Sequence, residues 1–347
     1  MKKTLLALAA IAASSASFAQ SSVTLYGVVD ASLESVKGDK TVTRVTSGNL
    51  ATSRLGFKGT EDLGSGMKAT FNLEAPVTVD TGAAGSTFWD RQAWVGIGGG
   101  FGELRLGRTD SSIGDIAGNV LSAQAYDDLK LLGTRGGDSY RRVSNAVTYL
   151  LPTLVPGLSA QLQYSTGTGG SATPAGEVAG SSEGKAYGLS VKYAAGPLSA
   201  GLGYLNAKDE STGTAVKDKA NATLVYAGYD FGAAKVTGYY DAETTGLNSK
   251  RFTLLGAKVA VPVAPNFTVI AGLSTARNTE GSAAGDDNVQ ITTIKAIYDL
   301  SKRTAVYGMF TNVNNDTGTL YGVSGGPTVS VADKTTHGIA VGIRHAF

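Results

Sequence analysis

Thr336-His337-Gly338-Ile339-Ala340-Val341-Gly342-Ile343-Arg344-His345-Ala346-Phe347 is the stretch that decides the fold. Ile339, Val341, Ile343 and Phe347 share one parity; Gly338, Ala340, Gly342, Arg344 and Ala346 share the other. Side chains of a strand alternate between faces. The segment therefore has one apolar face and one that is small or charged. Such alternation, closing on an aromatic residue, suits a lipid-facing strand of a transmembrane β-barrel. A soluble sheet edge shows the same pattern, so the rest of the chain has to choose.

The beginning of the chain speaks for export. Met1-Lys2-Lys3 is basic, Leu5 to Ala13 is apolar, and Ser17-Phe18-Ala19 has small residues at a cleavage point. This reads as a signal peptide over 1–19, leaving a single mature domain over 20–347. The apolar stretch is far below the roughly 20 residues of a spanning helix. Without Lys2 and Lys3 the chain carries 28 basic against 28 acidic residues, a balance that argues against nucleic acid as partner. No cysteine is present, so the fold does without disulfides. The 47 glycines stand beside 15 tyrosines and 10 phenylalanines, which separates the chain from disordered Gly-rich sequences.

Alternating segments recur along the chain and are read as sixteen strands, opening at 23–34 and 50–60 and closing at 336–347. The connections alternate in length: Asp62 to Gly66, Gly98 to Phe101 and Ala195 to Pro197 are short, whereas 110–140, 167–184 and 314–335 are long. Short turns at one end and long loops at the other mark a barrel inserted from one side. Pro152, Pro156, Pro197, Pro262 and Pro265 are expected at turns. Tyr26, Trp94, Tyr149, Tyr193, Tyr229 and Phe347 are expected in the aromatic girdles.

Parity also assigns an interior. With Leu55 and Phe57 outside, Arg54 and Lys58 face in; with Phe71 and Leu73 outside, Lys68 and Glu74 face in. Arg91 is placed inside opposite the parity of Gln92 and Trp94, and Arg142 inside opposite Val143, Val147 and Tyr149. Charges that cannot sit in lipid line water. The longest connection, 110–140, carries Asp110, Asp115, Asp127, Asp128 and Asp138. Folded inward against the basic wall, it would set a transverse field across the narrowest part of a channel.

Catalysis is disfavoured. The two histidines, His337 and His345, both fall on the lipid-side parity of the last strand, where neither can serve a Ser-His-Asp arrangement. Their spacing without cysteine gives no metal site. Gly96 to Gly102 reads as a hairpin turn, since no helix follows it. No cofactor is expected.

Several motifs resemble the general porins of beta-proteobacteria. Ser22 to Asp30 looks like their first strand, and Ser53 to Gly64 is similar to their second strand and first turn. Arg91-Gln92-Ala93-Trp94-Val95-Gly96, Leu106-Gly107-Arg108, Leu300 to Thr304 and the Arg344-His345-Ala346-Phe347 ending also look like family motifs. The resemblance covers the whole chain. It implies an all-β, 16-stranded antiparallel barrel in the bacterial outer membrane, trimeric, with the third outer loop folded into the lumen as an eyelet. It also implies that Arg54, Arg91 and Arg142 stand on the basic wall, with Asp110 and Asp115 as the eyelet acids and Asp127 and Asp128 as substitutes. Phe347 resembles the signal read by the outer-membrane assembly machinery. The expected partners are the bilayer with its lipopolysaccharide, further copies of the chain, and small hydrophilic solutes and ions. The expected activity is passive diffusion, compatible with a preference for anions. A substrate-selective porin or an adhesin using the long loops is the binding-class alternative.

Overall fold

The computed structural model describes residues 21–85, 87–120, 126, 141–167, 185–209, 218–244, 251–278, 287–323, 326–327 and 329–347. The expected signal peptide, Asp127, Asp128 and Asp138 lie outside these residues.

Eighteen strand segments form in the described residues: β1 Ser22–Lys37, β2 Thr41–Ser47, β3 Arg54–Gly64, β4 Met67–Thr78, β5 Ala83–Ala84, β6 Gln92–Gly99, β7 Gly102–Asp110, β8 Arg142–Leu150, β9 Leu158–Thr166, β10 Lys185–Ala195, β11 Leu198–Asp209, β12 Asp218–Asp230, β13 Lys235–Thr244, β14 Phe252–Ala264, β15 Phe267–Arg277, β16 Val289–Asp299, β17 Thr304–Asn315 and β18 Thr335–Ala346. Neighbours pair antiparallel all the way round, and β18 returns to β1, with Val28 opposite Ala346 and Lys37 opposite His337. The wall is a closed barrel of 16 strands. Segments β2 and β3 make one wall strand between them, since β1 pairs with β2 over Ala31–Lys37 and with β3 over Ser22–Val28. The tiny β5 pairs with the end of β4 and lies outside the wall.

Closure leaves no strand edge unpaired, which is the condition for β-structure in a hydrocarbon layer. The outer face is what lipid demands: Leu25, Leu33, Val341 and Ile343 are all exposed, at 54%, 55%, 62% and 49%. In water such a surface would be an aggregation liability. Between them on the same strands, Asp30, Ser32, Glu34 and Ala340 are buried on the inner face. The parity read from the last strand is the parity observed, and His337 and His345 are both exposed on its outer side.

Short turns alternate with long connections as expected. Between β3 and β4 the chain reverses through Gly64, Ser65 and Gly66, all with φ between 54° and 81°. Glycine takes that region without a Cβ clash, and the Asp62 carboxylate accepts the Gly64 N–H at 2.8 Å to fix the turn. Pro262 departs from expectation. It lies within β14, where the register with β15 shifts between Pro262 and Ala264, an irregularity that accommodates the missing N–H.

Two further expectations are corrected. Tyr26 faces the lumen, where its hydroxyl donates to Asn72 Oδ1 at 2.8 Å and Glu74 Oε2 at 2.9 Å. Trp94 also faces inward: Val95 and Ile97 are the exposed residues of β6, which sets the parity opposite to the one assumed. Aromatic residues that do sit on the outside near the turns include Phe101, Tyr229, Phe231, Tyr298 and Phe347.

After β7 the chain forms helix α1, Ser112–Val120. It lies against the inner face of β10–β12, in a groove made by Gly188, Gly201 and Gly203. A Cβ on Gly203 would stand 2.6 Å from the Ser112 carbonyl oxygen and 2.9 Å from Ile116 Cγ1, so the absence of a side chain is what admits the helix. Ile113, Ile116 and Val120 pack with inward residues Leu205, Leu224, Tyr226, Phe252 and Leu254. Each such burial contributes about 1.5–3 kcal/mol. The apolar cluster of this barrel thus sits inside it, with α1 packed on β10–β12.

Candidate functional site

A cavity of about 520 Å³ opens in the lumen, bordered by residues at β3, β4, β6, β7 and β8, by α1, and by Ile297 of β16 and Arg344 of β18. Arg54, Arg91, Arg141, Arg142 and Arg344 line it together with Glu74 and Asp110. Among the described residues, five guanidinium groups face two carboxylates. The balance is strongly positive.

Glu74, on β4, holds two of the arginines. Its Oε1 receives Arg91 Nε at 2.5 Å, and its Oε2 stands 3.4 Å from Arg54 Nε. The Tyr26 hydroxyl donates to the same carboxylate and fixes it from β1. Arg54 is anchored separately by donating to the Thr52 carbonyl at 3.0 Å. Thr52 belongs to the break between β2 and β3, which turns inward so that Leu50, Ala51 and Thr52 also border the cavity. Buried Asp30 supports the break: its Oδ2 accepts the Ala51 N–H at 3.1 Å, and its Oδ1 accepts the Tyr307 hydroxyl at 2.7 Å.

Asp110 is the last residue of β7, so it stands on the basic wall itself. It lies 3.5 Å from Arg142 Nε and accepts from Gln92 Nε2 at 2.9 Å. Asp115 sits on α1 and points away from the cavity, where it joins Lys192 Nζ at 2.5 Å and the Ser190 hydroxyl at 2.8 Å on β10. Toward the cavity α1 presents Gly114 and Gly118. In the described residues, then, the facing loop meets the arginines with glycine rather than with acid.

Arg54, Arg91 and Arg142 line one cavity, two of them by routes that alternation does not describe. Arg91 precedes β6, so it obeys no strand parity. Arg142 begins β8 at the far side of an irregular β7–β8 pairing, in which Gly107 has φ 134° and Asn145 φ 50° and the register shifts between Gly107 and Thr109. The same shift buries Val143, which the sequence reading put outside. Lys58 is elsewhere, in a second cavity toward the turns. Arg141 and Arg344 were missed. Arg344 shares the inward parity of Gly338, Ala340 and Gly342, so the last strand already signalled it; Arg141 lies just before β8 and carries no such signal.

Residues 5–318 match the family model described as Gram-negative porin. The chain belongs to the Gram-negative porin family. It is 34% identical to outer membrane porin protein 32 of Delftia acidovorans over the full length of both chains. It is 29% identical to the major outer membrane protein P.IB of Neisseria lactamica, again over the full length of both. Among solved structures it is similar to the anion-selective porin from Comamonas acidovorans, with 28% identity, a TM-score of 0.80, and coverage of 94% of this chain and all of the other. This porin is accordingly a channel of the outer membrane rather than an enzyme, embedded in lipid and open to solutes.

Proposed function

We propose that this porin passes small hydrophilic solutes with a preference for anions, and that Arg54, Arg91 and Arg142 set the preference at the eyelet. The observation that carries this reading is the excess of guanidinium over carboxylate around one cavity. In a narrow aqueous path bounded by low-dielectric walls, such an excess raises the local concentration of anions and depresses that of cations. The name of the anion-selective relative supports the same reading. Asp110 tempers the field from within the basic wall, and Asp115 holds α1 in place. Asp127 and Asp128 belong to the same loop and are proposed as further acids near the eyelet.

The functional unit is a homotrimer, as in the resemblance, delivered after cleavage of residues 1–19. It sits against lipopolysaccharide in the outer leaflet, and Phe347 is the residue read by the assembly machinery. Reversal potentials in planar bilayers under a KCl gradient test the selectivity. The unmodified channel should favour chloride, and the Arg91→Glu, Arg142→Glu double variant should shift toward potassium. An unchanged potential would remove the wall assignment. Three equal closing steps in single-channel records are expected of the trimer.

A further inference from the structure

The cavity that contains Lys58 is separate from the arginine cavity and meets it at Asn72. It measures about 350 Å³ and lies on the inner wall of β1, β3, β4, β6 and β7 at the turn end. Register fixes its depth. Arg54 is opposite Pro76 and Lys58 is opposite Asn72, four residues further along both strands. At about 3.3 Å per residue that is roughly 13 Å along the strands between the two backbone positions. That exceeds the Debye length of about 8 Å at physiological ionic strength, which weakens the coupling between the two sets of charge, although Asn72 borders both cavities.

Four charged groups line this lower cavity: Lys58, Lys68, Arg105 and Glu103. Arg105 is spent on Glu103, with Nε and Nη2 each 3.1 Å from a carboxylate oxygen, and Thr70 donates to the same carboxylate at 2.6 Å. Lys58 and Lys68 are exposed to the lumen, and neither has an ion pair among the described residues. Around them Ser22, Thr24 and Thr60 bring hydroxyls, and Asn72 brings an amide. The Trp94 face is covered by the Arg105 guanidinium, 4.0 Å from the ring centroid. That face of Trp94 is therefore taken, and the Tyr26 ring nearby has Lys58 Nζ 5.2 Å from its centroid. An ion with several acceptor oxygens finds two ammonium groups and a set of hydroxyl donors on three adjacent strands.

We propose that this cavity is a second anion station, taking a small multiply charged oxyanion on the turn side of the eyelet, with Lys58 and Lys68 as its charged contacts. The station rests on the porin reading of the lumen but not on the arginines. An ion leaving the eyelet would be held once more before the periplasm, and one arriving from the periplasm would meet the lysines first.

Block of the chloride current by inorganic phosphate tests this, with phosphate added to either side of a bilayer holding the oriented channel. Phosphate should block more strongly from the turn side. Lys58→Gln with Lys68→Gln should weaken that block about fivefold, the factor expected from two exposed charge contacts, and leave the KCl reversal potential in place. The Arg91→Glu, Arg142→Glu channel should move the reversal potential and keep the turn-side block. An unchanged block in the lysine variant overturns the station. So does a reversal shift in that variant as large as the arginine one, because the lysines would then belong to the eyelet field. Failure of the arginine arm alone would remove the eyelet reading and leave the station standing.

Discussion

Gly27 and Phe347 close the barrel. The Gly27 N–H donates to the Phe347 carbonyl at 3.1 Å, and the Phe347 N–H returns a bond of 3.1 Å to the Gly27 carbonyl. The phenyl ring lies where a Cβ of residue 27 would be, and the Arg54 carbonyl oxygen approaches the same point to 2.6 Å. Ring and glycine form one fitted pair at the seam between the first and last strands. Gly27→Ala should force both neighbours apart. A loss of about 1–3 kcal/mol is expected from overpacking of this kind. The temperature at which the folded barrel converts to the slow-migrating unfolded form in detergent gels should fall, and an unaltered transition would show that the seam tolerates a side chain.

Glu74 pairs with Arg54 and Arg91, so removing its charge should make the channel more selective rather than less. Glu74→Gln keeps one of the two acceptor oxygens that Tyr26 and Arg91 use, while adding one net positive charge to the cavity. At separations of a few ångströms in a partly solvated lumen, one charge is worth on the order of 1 kcal/mol. The chloride-to-potassium permeability ratio should rise about fivefold. A ratio that falls would place Glu74 outside the ion path.

The barrel was legible because lipid and water impose opposite demands on alternate residues, and Ile339, Val341 and Ile343 against Gly338, Ala340 and Gly342 carry both. The strand count was also legible, although the β2–β3 break was not: residues 48–53 turn inward on support from Asp30, and that support appears only once β1 is alongside. Trp94 and Tyr26 were misplaced for a different reason. An aromatic near a strand end suits either a membrane girdle or a polar lumen, and its partners, Arg105 and Glu74, come from other strands. The arginines of the larger cavity were found partly through motif resemblance. Arg91 lies before its strand, and Arg142 is set by a register shift in the β7–β8 pairing that no periodicity encodes.

The two nearby acids should separate on substitution. Asp110 borders the arginine cavity, so Asp110→Asn should raise chloride preference in the same sense as the Glu74 change. Asp115 is turned to Lys192 and Ser190, so Asp115→Asn should leave the reversal potential where it is. Its effect should be mechanical, because a part-buried ion pair and hydrogen bond tie α1 to β10. Open-channel current noise should increase. Equal shifts of reversal potential in both variants would overturn the distinction.

Asp30 offers a test of how the inward break positions Arg54 beside the arginine cavity. Its two oxygens accept from the Tyr307 hydroxyl and the Ala51 N–H, and its own N–H donates to the Ser53 hydroxyl at 3.0 Å. Asp30→Ala leaves the first two donors buried without acceptors, at roughly 1–3 kcal/mol each. The least costly escape is for residues 48–53 to move toward water, which takes Thr52 away from Arg54. Both readouts should therefore change together: a lower unfolding temperature, and a weaker chloride preference as Arg54 loses its anchor. Asp30→Asn retains one acceptor oxygen and should recover part of each. A variant that lowers stability while conductance and selectivity stay fixed would show that the break is rigid without Asp30, and that Arg54 is positioned by Glu74 alone.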